Sequence, residues 1–153
     1  MNTLELKIPP PAVALVFALL MWFAAPLSQT INLSPSVRIG FAIVLAILGQ
    51  SISVAGMIRF RRAKTTINPV KASAASSLVT GGVYQLTRNP MYVGLSLTLL
   101  AWAVFLASPM TLLFLPLFVL YIHRFQIIPE ERVLTSIFGA EYAEYKNKVR
   151  RWV

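Results

Sequence analysis

Long apolar runs separated by short basic segments dominate the chain. Residues 8–37 carry no charged side chain, and within them residues 11–27 (PAVALVFALLMWFAAPL) are almost wholly apolar. A second run, residues 39–58, places 20 uncharged residues between Arg38 and Arg59. That length fits a helix crossing a hydrocarbon core, which takes about 20 residues. The third run, residues 89–123, extends for 35 residues without a formal charge. As one helix it would be about 52 Å long at ~1.5 Å per residue, against a core of ~30 Å. Ser108-Pro109 lies near its middle, where proline and the restriction it imposes on the preceding residue interrupt a helix. The pattern therefore predicts two helices, 91–107 and 110–127, joined as a hairpin. The fold expected is all-α: a single polytopic membrane domain over 1–153 with four spans.

Composition agrees with this reading. Of 153 residues, 57% are hydrophobic and 12% charged, against roughly 25% charged in an ordinary soluble domain. There is no Cys, and the five acidic residues are all glutamates: Glu5, Glu130, Glu131, Glu141 and Glu144. This excludes disulfides, thiolate metal sites and cysteine nucleophiles, and a single His argues against a metal cluster or a Ser-His-Asp triad. The net charge of +9 suggests nucleic acid only until the cations are placed. Thirteen of 14 Lys and Arg fall before span one, in the 59–90 connection or after span four; Arg38 alone lies on the other side. Positive charge collects on the cytoplasmic side of membrane proteins, so both termini, the 59–90 loop and the 129–153 segment are expected to face the cytoplasm. No nucleic-acid partner is expected. Span one is read as a retained helix, since Lys7 is offset by Glu5 and Pro9-Pro10-Pro11 suits a helix start. Ala42, Ala46, Gly49, Ser53 and Gly56 suit close helix packing in span two, and residues 71–82 read as a linker or a mobile cover.

Polar chemistry gathers at the cytoplasmic ends of spans three and four. In residues 81–94 (GGVYQLTRNPMYVG), Pro90 fits the first turn of a helix and Asn89 its N-cap. Free N–H groups and the positive dipole end there suit an anionic group. The same residues also read, without any ligand, as a capped helix with Tyr92 and Arg88 at the membrane interface. The hairpin returns His123, Arg124, Glu130 and Glu131 to this surface. Adjacent acids after Pro129 equally suit a solvated helix start. Beyond them the chain reads as a helix, a break at Gly139, and a basic amphipathic helix with Tyr142, Tyr145, Val149 and Trp152 on one side, suiting contact with the membrane interface.

In the order Gly82-Val83-Tyr84, Arg88-Asn89-Pro90-Met91-Tyr92-Val93-Gly94, an apolar hairpin, Arg124, Glu130-Glu131, Leu134, Phe138-Gly139, Glu141-Tyr142, Tyr145 and Val149, the sequence resembles the isoprenylcysteine carboxyl methyltransferase family of integral-membrane enzymes. The family usually has Arg-His-Pro at 88–90. The Asn-Pro-Met-Tyr form here is also similar to phosphatidylethanolamine N-methyltransferases. The resemblance implies binding of S-adenosylmethionine, leaving S-adenosylhomocysteine, in a pocket capped by the C-terminal segment, with Tyr84, Arg88, Asn89, Pro90, Tyr92, Gly94, His123, Glu130 and Glu131 as cofactor-binding residues. Arg88 and the Asn89 helix start would hold its carboxylate, Glu130 and Glu131 its ammonium and hydroxyls, and Gly94 would leave room for it. A lipid-like or prenylated acceptor is implied. Arg124 would position an acceptor carboxylate, and Glu131 would be the base for an amine. Two other classes are weighed against this: a phospholipid or amine N-methyltransferase, and a non-catalytic membrane module that keeps the fold. A transporter or channel fits poorly, because no charge lies mid-span.

Overall fold

The computed structural model describes residues 5–64 and 76–153, and among them every regular element is helical. Helix α1 (Pro10–Ala24) starts on prolines and tightens into a 3₁₀ turn, Ala25–Leu27. Helix α2 (Pro35–Arg62) has Pro35 in its first turn and the Ser34 hydroxyl accepting from the Val37 N–H. Helix α3 (Pro90–Leu106) ends at Ala107, which takes the left-handed conformation (φ 52°). Ser108-Pro109 then reverses the chain, as its sequence predicts. The part of the expected 71–82 linker up to residue 75 lies outside the described residues.

The return limb differs from expectation. The short α4 (Pro109–Leu112), α5 (Phe114–Ile122) and α6 (Ile128–Lys148) run on as one bent helical rod, with a π-type turn at His123–Ile127. No separate bend forms at Pro129; the wider turn accommodates it, placing Pro129 in the first turn of α6. Gly139 supplies the expected kink, with φ 47° and ψ −116°. Three helical stretches, Pro10–Leu27, Pro35–Arg62 and Pro109–Lys148, are long and apolar enough to cross a membrane, and α3 is a shorter apolar helix of 17 residues. The protein is therefore a helical membrane protein.

Helices α2 and α3 form the tightest pair. A Cβ on Gly94 would collide with Ser53 and the Gly49 carbonyl, and one on Gly49 would come within 2.7 Å of the Gly94 carbonyl. Small residues allow backbones to approach this closely where lipid gives no hydrophobic drive to association. Helix α1 packs on α3 and α5, and α1 and α2 scarcely touch each other. The Trp102 indole N–H donates to the Ala18 carbonyl at 3.0 Å, tying α1 to α3. Met21, Phe118, Ile122 and Ile127 fill the centre.

Candidate active site

At the end of the bundle where α3 and α6 begin, a mainly apolar cavity of about 510 Å³ opens. Gln50, Ser53, Met57 and Phe60 of α2 form one part of its wall and Met91, Tyr92 and Leu95 of α3 another; α6 adds Glu130, Glu131 and Leu134. Tyr84, Arg88 and Asn89 enter from the 3₁₀ turn Gly82–Gln85 and the link to α3. The hairpin geometry brings these residues, far apart in sequence, onto one wall.

Glu131 is the electrostatic centre. Its Oε1 accepts from Arg88 Nη2 at 2.9 Å and Arg151 Nε at 2.9 Å, and its Oε2 accepts from Arg151 Nη2 at 2.6 Å. The Arg151 contact is the two-pronged guanidinium–carboxylate geometry that adds direction as well as energy. Arg88 Nη1 also donates to the Lys146 carbonyl at 3.3 Å. Backbone contacts lock the C-terminal segment to the start of α3. The Arg88 N–H donates to the Arg150 carbonyl, while the Thr87 hydroxyl and Asn89 Nδ2 both donate to the Arg151 carbonyl. Asn89 thus holds the N-cap position but does not cap with its side chain, because its amide is engaged by the C-terminal segment.

Glu130 is held differently, by one neutral donor: the Tyr92 hydroxyl, 3.0 Å from its Oε2. Part of Glu130 stays accessible, but protein surrounds its carboxyl. That burial raises its pKa from the ordinary carboxylate range to about 7, opposed by the Tyr92 hydrogen bond and helped by the Glu131 charge. Burial, then Glu130, also pushes the Tyr84 phenol well above its usual range. Two buried donors on this wall, the Tyr84 hydroxyl and Arg88 Nε, have no hydrogen-bond partner among the described residues. Unmet donors beside a cavity are the places where a ligand supplies acceptors.

Of the residues expected at the site, Tyr84, Arg88, Asn89, Tyr92, Glu130 and Glu131 line the cavity, and Pro90, Gly94, His123 and Arg124 do not. Gly94 serves the α2–α3 crossing instead of leaving room for a ligand. His123 lies behind Arg151, its Nε2 3.4 Å from Arg151 Nη1. The π-type turn aims Arg124 at Glu5, 3.3 Å away, so it does not meet the acids of α6 in the cavity. Arg151 is not among the residues expected at the site, since nothing local in the sequence shows which side chain of the C-terminal segment reaches Glu131. Tyr142 and Tyr145 do show a helical spacing, but the stripe packs on Tyr84, with the Tyr145 hydroxyl donating to the Tyr84 carbonyl at 2.7 Å. Membrane contact was the expected use of that stripe.

The sequence profile of the phospholipid methyltransferase family matches residues 37–141, covering α2, α3, the return limb and the acid pair. The chain belongs to the phospholipid methyltransferase family. An uncharacterized protein of Haemophilus influenzae is 49% identical over 63 residues, 41% of this chain and 100% of that protein. Protein-S-isoprenylcysteine O-methyltransferase A of Arabidopsis thaliana is 33% identical over 112 residues, 71% of this chain and 55% of the relative. The protein-S-isoprenylcysteine O-methyltransferase of Saccharomyces cerevisiae is 33% identical over 109 residues, 69% of this chain and 44% of the relative. The chain thus spans about half the length of the isoprenylcysteine methyltransferases it matches. No solved structure matches it.

Proposed function

We propose that this phospholipid methyltransferase family member is an integral-membrane enzyme that transfers a methyl group from S-adenosylmethionine to a lipophilic acceptor. The acceptor is a prenylcysteine-like carboxylate or a related small lipid-like molecule. Four spans, with both termini and the cavity on the cytoplasmic side, are the topology we infer from the cation distribution. The observation that carries the proposal is the donor set of the cavity. Arg88 is nearly buried, with Nε unpartnered, beside an acid of raised pKa and a free phenol. A ligand with a carboxylate, an ammonium and hydroxyls matches that set, and S-adenosylmethionine has all three.

When bound, the cofactor supplies an electrophilic methyl carbon, and transfer is an in-line displacement there. The chain's own residues bind, align and exclude water. Arg88 Nε would take the carboxylate, and Glu130 would accept from the ammonium or a hydroxyl. Glu131, engaged by Arg88 and Arg151, keeps Arg88 in place; it is not the free base. Met57, Phe60, Leu95 and Leu134 keep the cavity dry.

One observation favours the amine reading of the same chemistry. Arg88 is the one cation on the wall among the described residues, so a carboxylate acceptor would compete for it. An amine acceptor needs a proton removed, and a carboxyl with a pKa near 7 is matched to that task. Glu130 would be that base. Product chemistry separates the two: a methyl ester is labile to base, and a methylated amine is not.

Thermal unfolding of the detergent-purified protein with and without S-adenosylhomocysteine tests the proposal. Ligand at 100 times its Kd stabilises by about 2.7 kcal/mol, a shift of several degrees. We expect a saturable shift that the Glu130→Gln plus Glu131→Gln double variant loses. No shift at millimolar ligand, from a protein that still unfolds cooperatively, would instead identify a non-catalytic module.

A further inference from the structure

Part of the cavity wall is a proline strap formed by Pro9 and the first turn of α1. Pro9, Pro10 and Pro11 line the cavity beside Gln50 and Ser53 of α2. Pro10 is buried, while Pro9 and Pro11 keep exposed surface, so this strap forms part of the cavity's rim. It stands where α1 and α2 diverge, each packed on α3. A lipophilic acceptor entering between α1 and α2 would meet the cavity there.

Three contacts fasten the strap to the return limb, and the sequence of that limb creates one of them. Pro129 has no N–H, so the Phe125 carbonyl four residues earlier lacks its helical donor. The Leu6 N–H takes that place at 3.0 Å, with Leu6 in the left-handed conformation (φ 58°). Gln126, fully buried in the same turn, donates from Nε2 to the Ile8 carbonyl at 2.8 Å. Glu5 then sits between Arg124, 3.3 Å from its Oε1, and Arg132, 3.4 Å from its Oε2. The carboxylate is buried and both cations are half exposed. The strap itself, residues 5–11, precedes the residues 37–141 that match the family profile.

We propose that the Pro9–Pro11 strap, held by Glu5 between Arg124 and Arg132, sets the width of the cavity mouth and thereby which lipophilic acceptors reach the methyl donor. Glu5, Arg124 and Arg132 are positioning residues, acting through the strap without touching acceptor or cofactor. Three consecutive prolines suit this role, because their rings fix φ and they offer no N–H donors to a passing ligand. Selection by bulk follows from the reading of the cavity given above and rests on it; the gating of the mouth does not.

The absence of cysteine makes a clean test available. Ser53→Cys places one thiol on the cavity wall, and its modification by N-dodecylmaleimide in detergent reports access through the mouth. In the Glu5→Gln background we expect modification at least fivefold faster, with Arg132→Gln giving a smaller increase. Leu95→Cys repeats the measurement on another wall, in case Ser53→Cys disturbs the α2–α3 crossing. Equal rates with and without Glu5→Gln at both thiols would overturn the proposal. Where wild type methylates N-acetyl-S-farnesylcysteine and N-acetyl-S-geranylgeranylcysteine, Glu5→Gln should change their KM ratio at least threefold. It should leave kcat and S-adenosylhomocysteine affinity within twofold. An unchanged ratio would refute selection by the strap. Failure of wild type to bind S-adenosylhomocysteine would remove the enzymatic reading, and the labelling rates would still decide whether the strap gates the mouth.

Discussion

Two glutamates in this chain each sit between two arginines, in opposite surroundings. Glu131 and Arg88 are both nearly buried, with side chains 14% and 10% exposed, and Arg151 is partly covered. Glu5 is 3% exposed, but Arg124 and Arg132 are 48% and 57% exposed. The inner cluster joins the start of α3, the start of α6 and the C-terminal segment. The outer one joins the N-terminal strap to the same return limb from the far side. Desolvating a charge is costly, and only good geometry with further hydrogen bonds offsets it. Glu131 has that geometry, with three donors at 2.6–2.9 Å. Glu5 relies on longer contacts to cations that water can still reach. The inner cluster is accordingly a fixed part of the site, and the outer one a fastening that can be loosened without dismantling the fold.

Breaking the inner cluster should have the largest effect. Glu131→Ala leaves Arg88 and part of Arg151 without an anion, and losing one partner of a buried pair costs about 3–5 kcal/mol. A large fall in the detergent-state Tm is expected. A fall of only a degree or two would mean that the C-terminal segment holds by its backbone contacts alone.

The next effect separates Glu130 from its neighbour through pH. Its folded pKa lies above the unfolded value, so the folded state binds the extra proton. The stabilisation is complete below about pH 4.5, declines as pH rises, and is gone above the folded value of about 7. The loss is at most about 3 kcal/mol at 1.36 kcal/mol per pKa unit. Unfolding midpoints of Glu130→Gln and wild type from pH 5 to 8 should diverge, the variant lacking that decline. Parallel curves would place the proton on another group.

The smallest effect falls on the outer cluster. Glu5→Gln leaves two cations that can turn to water, so a loss of about 1 kcal/mol is expected, within the range of partly exposed pairs and single hydrogen bonds. A Tm change as large as that of Glu131→Ala would make the two clusters equivalent and sink the comparison.

How much of this could be read from the sequence follows the distance between partners along the chain. The charge-free runs and Ser108-Pro109 marked α1, α2 and the hairpin, because length and proline act locally. The acid pair, Arg88 and Tyr92 were legible because the hairpin that joins them is itself a local pattern. Arg124 falls outside the cavity because its direction depends on the π-type turn, which no residue type announces. Arg151 and Glu5 reach their partners through chain ends folding back over 20 and 119 residues. Periodicity carries no information about such contacts. Gly94 shows the reverse case: a small residue beside a polar cluster invites a ligand role, and only the crossing partner reveals that it is there for packing.

The turn at His123–Ile127 has a consequence of phase. Each residue advances an α-helix by about 100°, so the count of residues between Phe118 in the core and Glu130 fixes the azimuth at which the acids emerge. The Ile128 N–H reaches back five residues, to the His123 carbonyl, and that wider turn holds one residue more than an α-helical path would. Removing one residue there would let the turn close to an α-helical path with the acid pair near its present bearing. Drawing the full count of residues into α-helical geometry would instead rotate the pair by about a quarter turn, away from the cavity. The turn works as a fixed angular offset, setting the bearing of the chemistry against the packing of the rod that carries it.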